Sequence, residues 1–192
     1  MIDAPLAQLA ETYARDVRLA STSGVSAEPE AQLTVPVSEF LRAFSSVTGI
    51  GDLSLLREAQ LDGVRPDFAA LIDGRPCGWV ELKAPGHTVI GEKWRGREKG
   101  QWDLLSQLDA LLVSNGDEIA LYVSGSLVDT AFLPVDGVAG WDADRLRTVL
   151  EQFTLAQPRP ITRVSQLADR LAPLARFLRA VSYTHLTLPT KA

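Results

Sequence analysis

The stretch Arg65-Pro-Asp-Phe-Ala-Ala-Leu-Ile-Asp-Gly-Arg-Pro-Cys-Gly-Trp-Val-Glu-Leu-Lys83 decides how this chain folds. Residues 67–72 and 77–83 both read as strands. Asp73-Gly74 between them is a hairpin signal, because the pair readily takes the two positive φ angles of a tight turn. A hairpin turning there sets residue 67 opposite residues near 81. Side chains alternate along a strand, so Glu81 and Lys83 share one face while Leu82 points away into packing. Two carboxylates and one ammonium are expected to converge.

Around this hairpin the pattern is mostly helical. Residues 5–20 carry apolar side chains at helical spacing (Leu6, Leu9, Ala10, Tyr13, Val17), and residues 21–26, rich in Ser, Thr and Gly, read as a turn. Helical character resumes over 28–44, where Pro36 is expected to kink or divide the element. Gly49 and Gly51 close it. Residues 101–112 read as a helix ended by Asn115-Gly116, 118–123 as a strand, and 127–133 as its partner. Helices over 142–153 and 164–180 follow, separated by Pro158-Arg-Pro160. The order predicts one α/β domain over 1–180, with a mixed central sheet flanked by helices, a core of about 28–125 and C-terminal helices in 142–180.

Bulk properties agree. The 192 residues are 46% hydrophobic and 22% charged, enough to bury one sizeable core. No apolar run reaches the roughly 20 residues that span a bilayer, and Met1-Ile-Asp-Ala-Pro5 lacks the pattern of a secretory signal. A lone cysteine, Cys77, makes no internal disulfide and suits a reducing cytoplasm, the expected location. Two histidines, His87 and His185, are too few for a His-rich zinc site. The net charge of −5 does not mark a nucleic-acid binder. The segment Lys93-Trp-Arg-Gly-Arg-Glu-Lys99 is locally basic nonetheless. Lys93, Arg95, Arg97 and Lys99 are candidate phosphate contacts, with a solvated charged loop as the plain alternative.

Phosphodiester hydrolysis needs a hard divalent cation, and carboxylate oxygens are the ligands such a cation prefers. Asp67 and Glu81 can supply them, and Lys83 is placed to orient the attacking water or stabilise charge on the phosphate. A Glu-x-Lys triplet alone is common, and its weight comes from its order, spacing and hairpin setting. Glu30, on the helical segment 28–36, can offer a further acid, with Glu28 as its rival. Gln101, placed at the opening of the helix after the basic loop, can reach a phosphate or a metal-bound water.

The ordered set Glu30, Pro66-Asp67, Glu81-Leu-Lys83 and Gln101 resembles the PD-(D/E)XK nuclease domain that begins single-chain and type I restriction–modification proteins and some adenine-specific DNA methyltransferases. Glu30-Ala-Gln-Leu-Thr-Val-Pro36 is similar to the family's acidic helix. Gln101-Trp-Asp-Leu-Leu105 stands where a Gln-x-x-x-Tyr motif is usual, with Leu105 in place of the tyrosine. The resemblance implies a restriction-endonuclease-like fold, a Mg²⁺ cofactor that Mn²⁺ can replace, and DNA as substrate. It implies metal ligation by Asp67, Glu81 and Glu30, a catalytic Lys83, and a phosphate or water contact for Gln101. The alternative is a nuclease-like module that no longer cuts and serves DNA binding or scaffolding.

Residues 181–192, beginning Val181-Ser-Tyr-Thr-His-Leu-Thr-Leu-Pro-Thr190, resemble the translation of a sequencing adapter. The expectation is a non-native tail on the N-terminal fragment of a longer protein. The chain carries no Gly-x-x-x-x-Gly-Lys phosphate loop and no Asn-Pro-Pro-Tyr motif. Motor or methyltransferase domains are expected, if anywhere, downstream in the full-length chain.

Overall fold

A computed structural model describes residues 2–22, 29–57 and 65–156. Glu28, the segment 164–180 read as a helix, and the tail 181–192 lie outside the described residues.

Helix α1 spans Ala4–Thr22 and α2 Pro29–Val47. Strands follow as β1 Leu53–Arg57, β2 Phe68–Ile72 and β3 Arg75–Leu82. A 3-10 turn at Gly91–Lys93 leads to α3 Arg97–Leu105. Then come β4 Ala110–Ser114, β5 Glu118–Val123, β6 Ser126–Phe132 and α4 Ala143–Leu155. The six strands form one sheet in sequence order, antiparallel except where β3 lies parallel to β4. A parallel pair cannot be joined by a tight turn. The crossover here is residues 83–109, a strap followed by α3.

Local chemistry explains the elements that frame the site. Asp73 (φ 49°) and Gly74 (φ 75°) form the two-residue turn between β2 and β3, as expected of Asp-Gly. Asp3 Oδ1 accepts the Leu6 amide at 3.0 Å to cap α1. Asp142 accepts the Arg145 amide at 2.9 Å to cap α4. Helices α1, α2 and α4 cover one sheet face. There Tyr13, Leu33, Phe40, Phe44, Val80, Leu82, Leu112, Leu121, Leu150 and Phe153 belong to the main core. Helix α3 and the strap cover the other face with a smaller cluster around Trp94, Trp102, Leu105, Leu111, Val113 and Tyr122. Among the described residues no helix is long and apolar enough to cross a membrane.

Three sequence readings are revised, and one strand is new. Residues 101–112 are not one helix: α3 ends at Leu105, and β4 begins at Ala110. Every position of β4 is buried, and a strand covered on both faces shows a continuous apolar run that periodicity cannot separate from a buried helix. Of the two outcomes expected at Pro36, a kink or a division, the division does not occur: α2 runs on through it as one helix. The helix is pinned through that point by buried Leu33, Val37, Phe40 and Leu41, which offset the proline cost of about 3 kcal/mol. Ser21 and Thr22 extend α1 rather than forming a turn. Edge strand β1 carries no clear alternation and was not anticipated.

Gly78 lies where β3 passes under α4. A Cβ there would stand 2.4 Å from Phe153 Cε2 and 2.9 Å from the Ala110 carbonyl oxygen. Gly78→Ala is therefore expected to destabilise the domain by about 1–3 kcal/mol in denaturant titration. Phe153→Leu should relieve part of that loss in the double variant; strict additivity of the two changes would show that the contact is not what limits the site.

Candidate active site

The hairpin and the crossover together assemble the site. Phe68 pairs with Val80, so Asp67, immediately before β2, stands across from Glu81. The Leu82 amide donates to Asp67 Oδ2 at 2.6 Å. Lys83 follows the last strand residue, and its amide extends the parallel ladder by donating to Ser114 O at 2.8 Å. Alternation then acts as expected. Val80 and Leu82 enter the main core, while Glu81 and Lys83 turn to the opposite face. A hairpin with both charges in solvent is excluded, since Glu81 and Lys83 are each only 3% exposed.

Lys83 Nζ donates to Glu81 Oε1 at 2.8 Å and to Gln101 Oε1 at 3.0 Å. Gln101 Nε2 donates to the same Glu81 Oε1 at 2.5 Å. The three side chains close a ring, and only this amide orientation matches acceptor to ammonium and donor to carboxylate. Gln101 sits within α3 rather than at its start, so Arg97 and Lys99 belong to the same helix. Glu81 Oε2, also buried, has no hydrogen-bond partner.

Burial pushes the Glu81 carboxyl up to about 7; Lys83 opposes this, and the charges of Asp67 and Glu30 add to it. Glu30, half-buried in the first turn of α2, is thus within electrostatic reach of the site. Asp67 is exposed over its side chain as a whole, yet burial still raises its carboxyl above the ordinary value, against the pull of the Leu82 amide, Lys83 and Arg57. Among the described residues no three His, Cys, Asp or Glu side chains are gathered closely enough to hold an ion by themselves. The local set is oxygen-only: Glu81 with its free Oε2, and Asp67 bound through one oxygen to Leu82.

Several contributors were not singled out in the sequence. The Trp94 ring lies over Lys83, with Nζ 4.7 Å from its centroid, and its Nε1 donates to Thr88 O at 2.8 Å. The strap is tied down elsewhere too. Tyr122 Oη accepts the Gly91 amide at 2.9 Å and donates to Val89 O at 3.1 Å. His87 Nε2 meets Glu98 Oε2 at 2.9 Å, and Asn115 Nδ2 donates to His87 O at 2.7 Å. Gly91 is required by closeness, for a Cβ would fall 2.1 Å from the Trp102 ring. The tryptophan interleaved in the basic stretch was the one visible sign of this arrangement. Lys93, Arg95, Arg97 and Lys99 are all exposed, along the end of the strap and the first turn of α3. Leu105, where the resemblance expects tyrosine, is fully buried against the aromatic cluster.

No family model matches this sequence, and no curated protein is similar to it in sequence. Among solved structures, a chain from the cryo-EM structure of the DrdV–DNA complex shares its fold, with a TM-score of 0.56 and 18% identity. The shared fold is α/β, a mixed six-stranded sheet flanked by helices. The match covers 79% of this chain and 14% of that one, so this chain spans a small part of the length of the protein it matches.

The raised Glu81 carboxyl gives a pH dependence of definite sign. Between about 4.5 and about 7 the folded, metal-free protein holds a proton that the unfolded chain releases. The stabilisation is complete below the lower value and lost as pH rises through the upper. In buffers stripped of divalent metal, the Tm of the native protein is expected to fall more from pH 5 to pH 8 than that of Glu81→Gln. Parallel curves for the two proteins would contradict the assignment.

Proposed function

We propose that this chain is a metal-dependent deoxyribonuclease domain of the PD-(D/E)XK type. The observation that carries the reading is Glu81: a buried carboxylate with one oxygen gripped by Lys83 and Gln101, the other without a partner, and Asp67 across from it on the hairpin. An unpaired buried acceptor beside a second carboxylate suits a hard cation, and Mg²⁺ is typically held by one or two carboxylates with waters completing its shell. The donor set therefore fits Mg²⁺, with Mn²⁺ able to replace it. When bound, the ion would polarise the phosphate and lower the pKa of a coordinated water.

Within that reading Asp67 and Glu81 are the ligands, and Glu30 is an auxiliary acid. Lys83 places a positive charge where charge builds on the scissile phosphate. Gln101 holds Lys83 against Glu81 and contacts a phosphate or a water. Lys93, Arg95, Arg97 and Lys99 take DNA phosphates along the exposed edge leading to α3. By the resemblance of its motifs this domain belongs to a larger restriction–modification protein, with motor or methyltransferase domains elsewhere in the full-length chain; the matched DrdV chain is likewise much longer than its matched part. A second reading, a nuclease-like DNA-binding or scaffolding module that no longer cuts, is favoured by the net charge of −5 and by Leu105 at the motif position.

The deciding assay is cleavage of supercoiled plasmid in Mg²⁺ or Mn²⁺. Asp67→Ala and Lys83→Ala are expected to lower the rate by at least about 100-fold while keeping the native circular dichroism. Activity equal to the native protein in either variant would remove the assignment. Calorimetry separates the second reading: an active site binds Mn²⁺ and loses it in Glu81→Ala, whereas an inert module binds it no better than that variant does.

A further inference from the structure

We infer that Trp94 is the positioning residue of Lys83, fixing the ammonium in its working place by seating it against the indole face; the catalytic weight of this rests on the nuclease reading above. A lysine carries its charge on a flexible four-carbon stem, so an ammonium without a third contact has room to swing. Glu81 and Gln101 take two of its donors. The Trp94 ring closes a further side at 4.7 Å, inside the range at which a cation is attracted to an aromatic face.

The indole is itself held rigidly. It is 1% exposed, its Nε1 donates to Thr88 O at 2.8 Å, and it stands edge-on to Trp102 with centroids 5.6 Å apart. The Trp94 amide donates to Gly91 O at 3.0 Å, and the Gly91 amide is in turn bonded to Tyr122 Oη. The ring thus inherits the position of an interior strand, β5, through the strap. On either side of it in sequence, Lys93 and Arg95 face solvent, and Arg95 Nη1 braces the turn by donating to Glu92 O at 3.0 Å and Trp94 O at 2.8 Å. The residues offered to phosphate and the ring offered to Lys83 therefore belong to one short rigid segment. A small misplacement of a catalytic group lowers turnover more than it lowers substrate affinity.

The chain has four lysines, Lys83, Lys93, Lys99 and Lys191, which makes the contact readable by NMR of protein labelled with ¹³C-lysine. The Lys83 ε-methylene resonance, assigned by its absence in Lys83→Arg, should stand upfield of the other three through the indole ring current. It should return to them in Trp94→Leu and stay shifted in Trp94→Phe. In plasmid cleavage Trp94→Leu should lose about 10–100-fold in kcat with KM for DNA nearly unchanged, and Trp94→Phe should recover most of the loss. An unshifted Lys83 resonance in the native protein overturns the inference, even should Trp94→Leu fail to fold. So does a Trp94→Leu variant that cleaves at the native rate, or one that loses only DNA affinity. A native protein that shows the shift but cuts nothing supports the positioning and removes the nuclease reading instead.

Discussion

A carboxylate and an ammonium 2.8 Å apart, each almost wholly withdrawn from water, set the terms for the rest of this domain. Desolvating such a pair costs several kcal/mol per ion, and their mutual attraction repays it only when further hydrogen bonds complete the shell. Gln101 and Trp94 complete it for Lys83, and both arrive on the crossover between β3 and β4. The topology follows from this need. An antiparallel continuation after β3 would return the chain beside the strand within a few residues. The parallel step instead sends it out over the face that bears Glu81, and residues 84–105 deliver an aromatic ring and an amide to the charges left at the strand end.

The two sheet faces divide the labour. Helices α1, α2 and α4 seal the face holding Val80 and Leu82, and that larger core fixes the strands. The opposite face is covered only in part, by α3 and the strap, with aromatic rings in edge-on contact. Trp102 meets Trp94 at 5.6 Å and Tyr122 at 4.6 Å between centroids. Such contacts constrain angle as well as distance. The Tyr122 hydroxyl carries that constraint to the strap through Gly91 and Val89, so a residue on β5 governs where a loop stands over a charge on β3.

The hairpin and the pairing of its charges were legible because both depend on short-range rules. Asp73-Gly74 specifies its own turn, and the two-residue period puts Glu81 with Lys83 wherever the strand goes. What was illegible depended on long-range facts. Strand β4 resembled the end of a helix because burial on both faces erases the alternation that marks a strand. Pro36 looked like a break because propensity sees the missing amide but not the core on which α2 rests. Trp94 stands in the sequence only as an aromatic residue among basic ones. Its partner Lys83 lies eleven positions away in sequence (83 to 94), across a strap with no regular period, and no local pattern links them. The burial of Glu81 was likewise invisible, since the partners that meet it there, such as Gln101 on α3, lie far along the chain.

That burial leaves one feature folding alone does not require. Two donors converge on Glu81 Oε1 while Oε2 has none, and among the described residues it is the sole buried side-chain nitrogen or oxygen without a partner. An unsatisfied buried acceptor costs about 1–3 kcal/mol, more when charged. A pair selected for stability would spread its donors over both oxygens, or give way to apolar side chains of the same size. Here the neighbouring charges of Asp67 and Glu30 make the position still less favourable to an anion. An arrangement that concentrates negative charge around a bare oxygen, and sets a fixed ammonium beside it, is stabilised by a cation or a proton entering from outside the fold. The proposed metal site rests on that physical demand, which the geometry would impose whatever the domain were attached to.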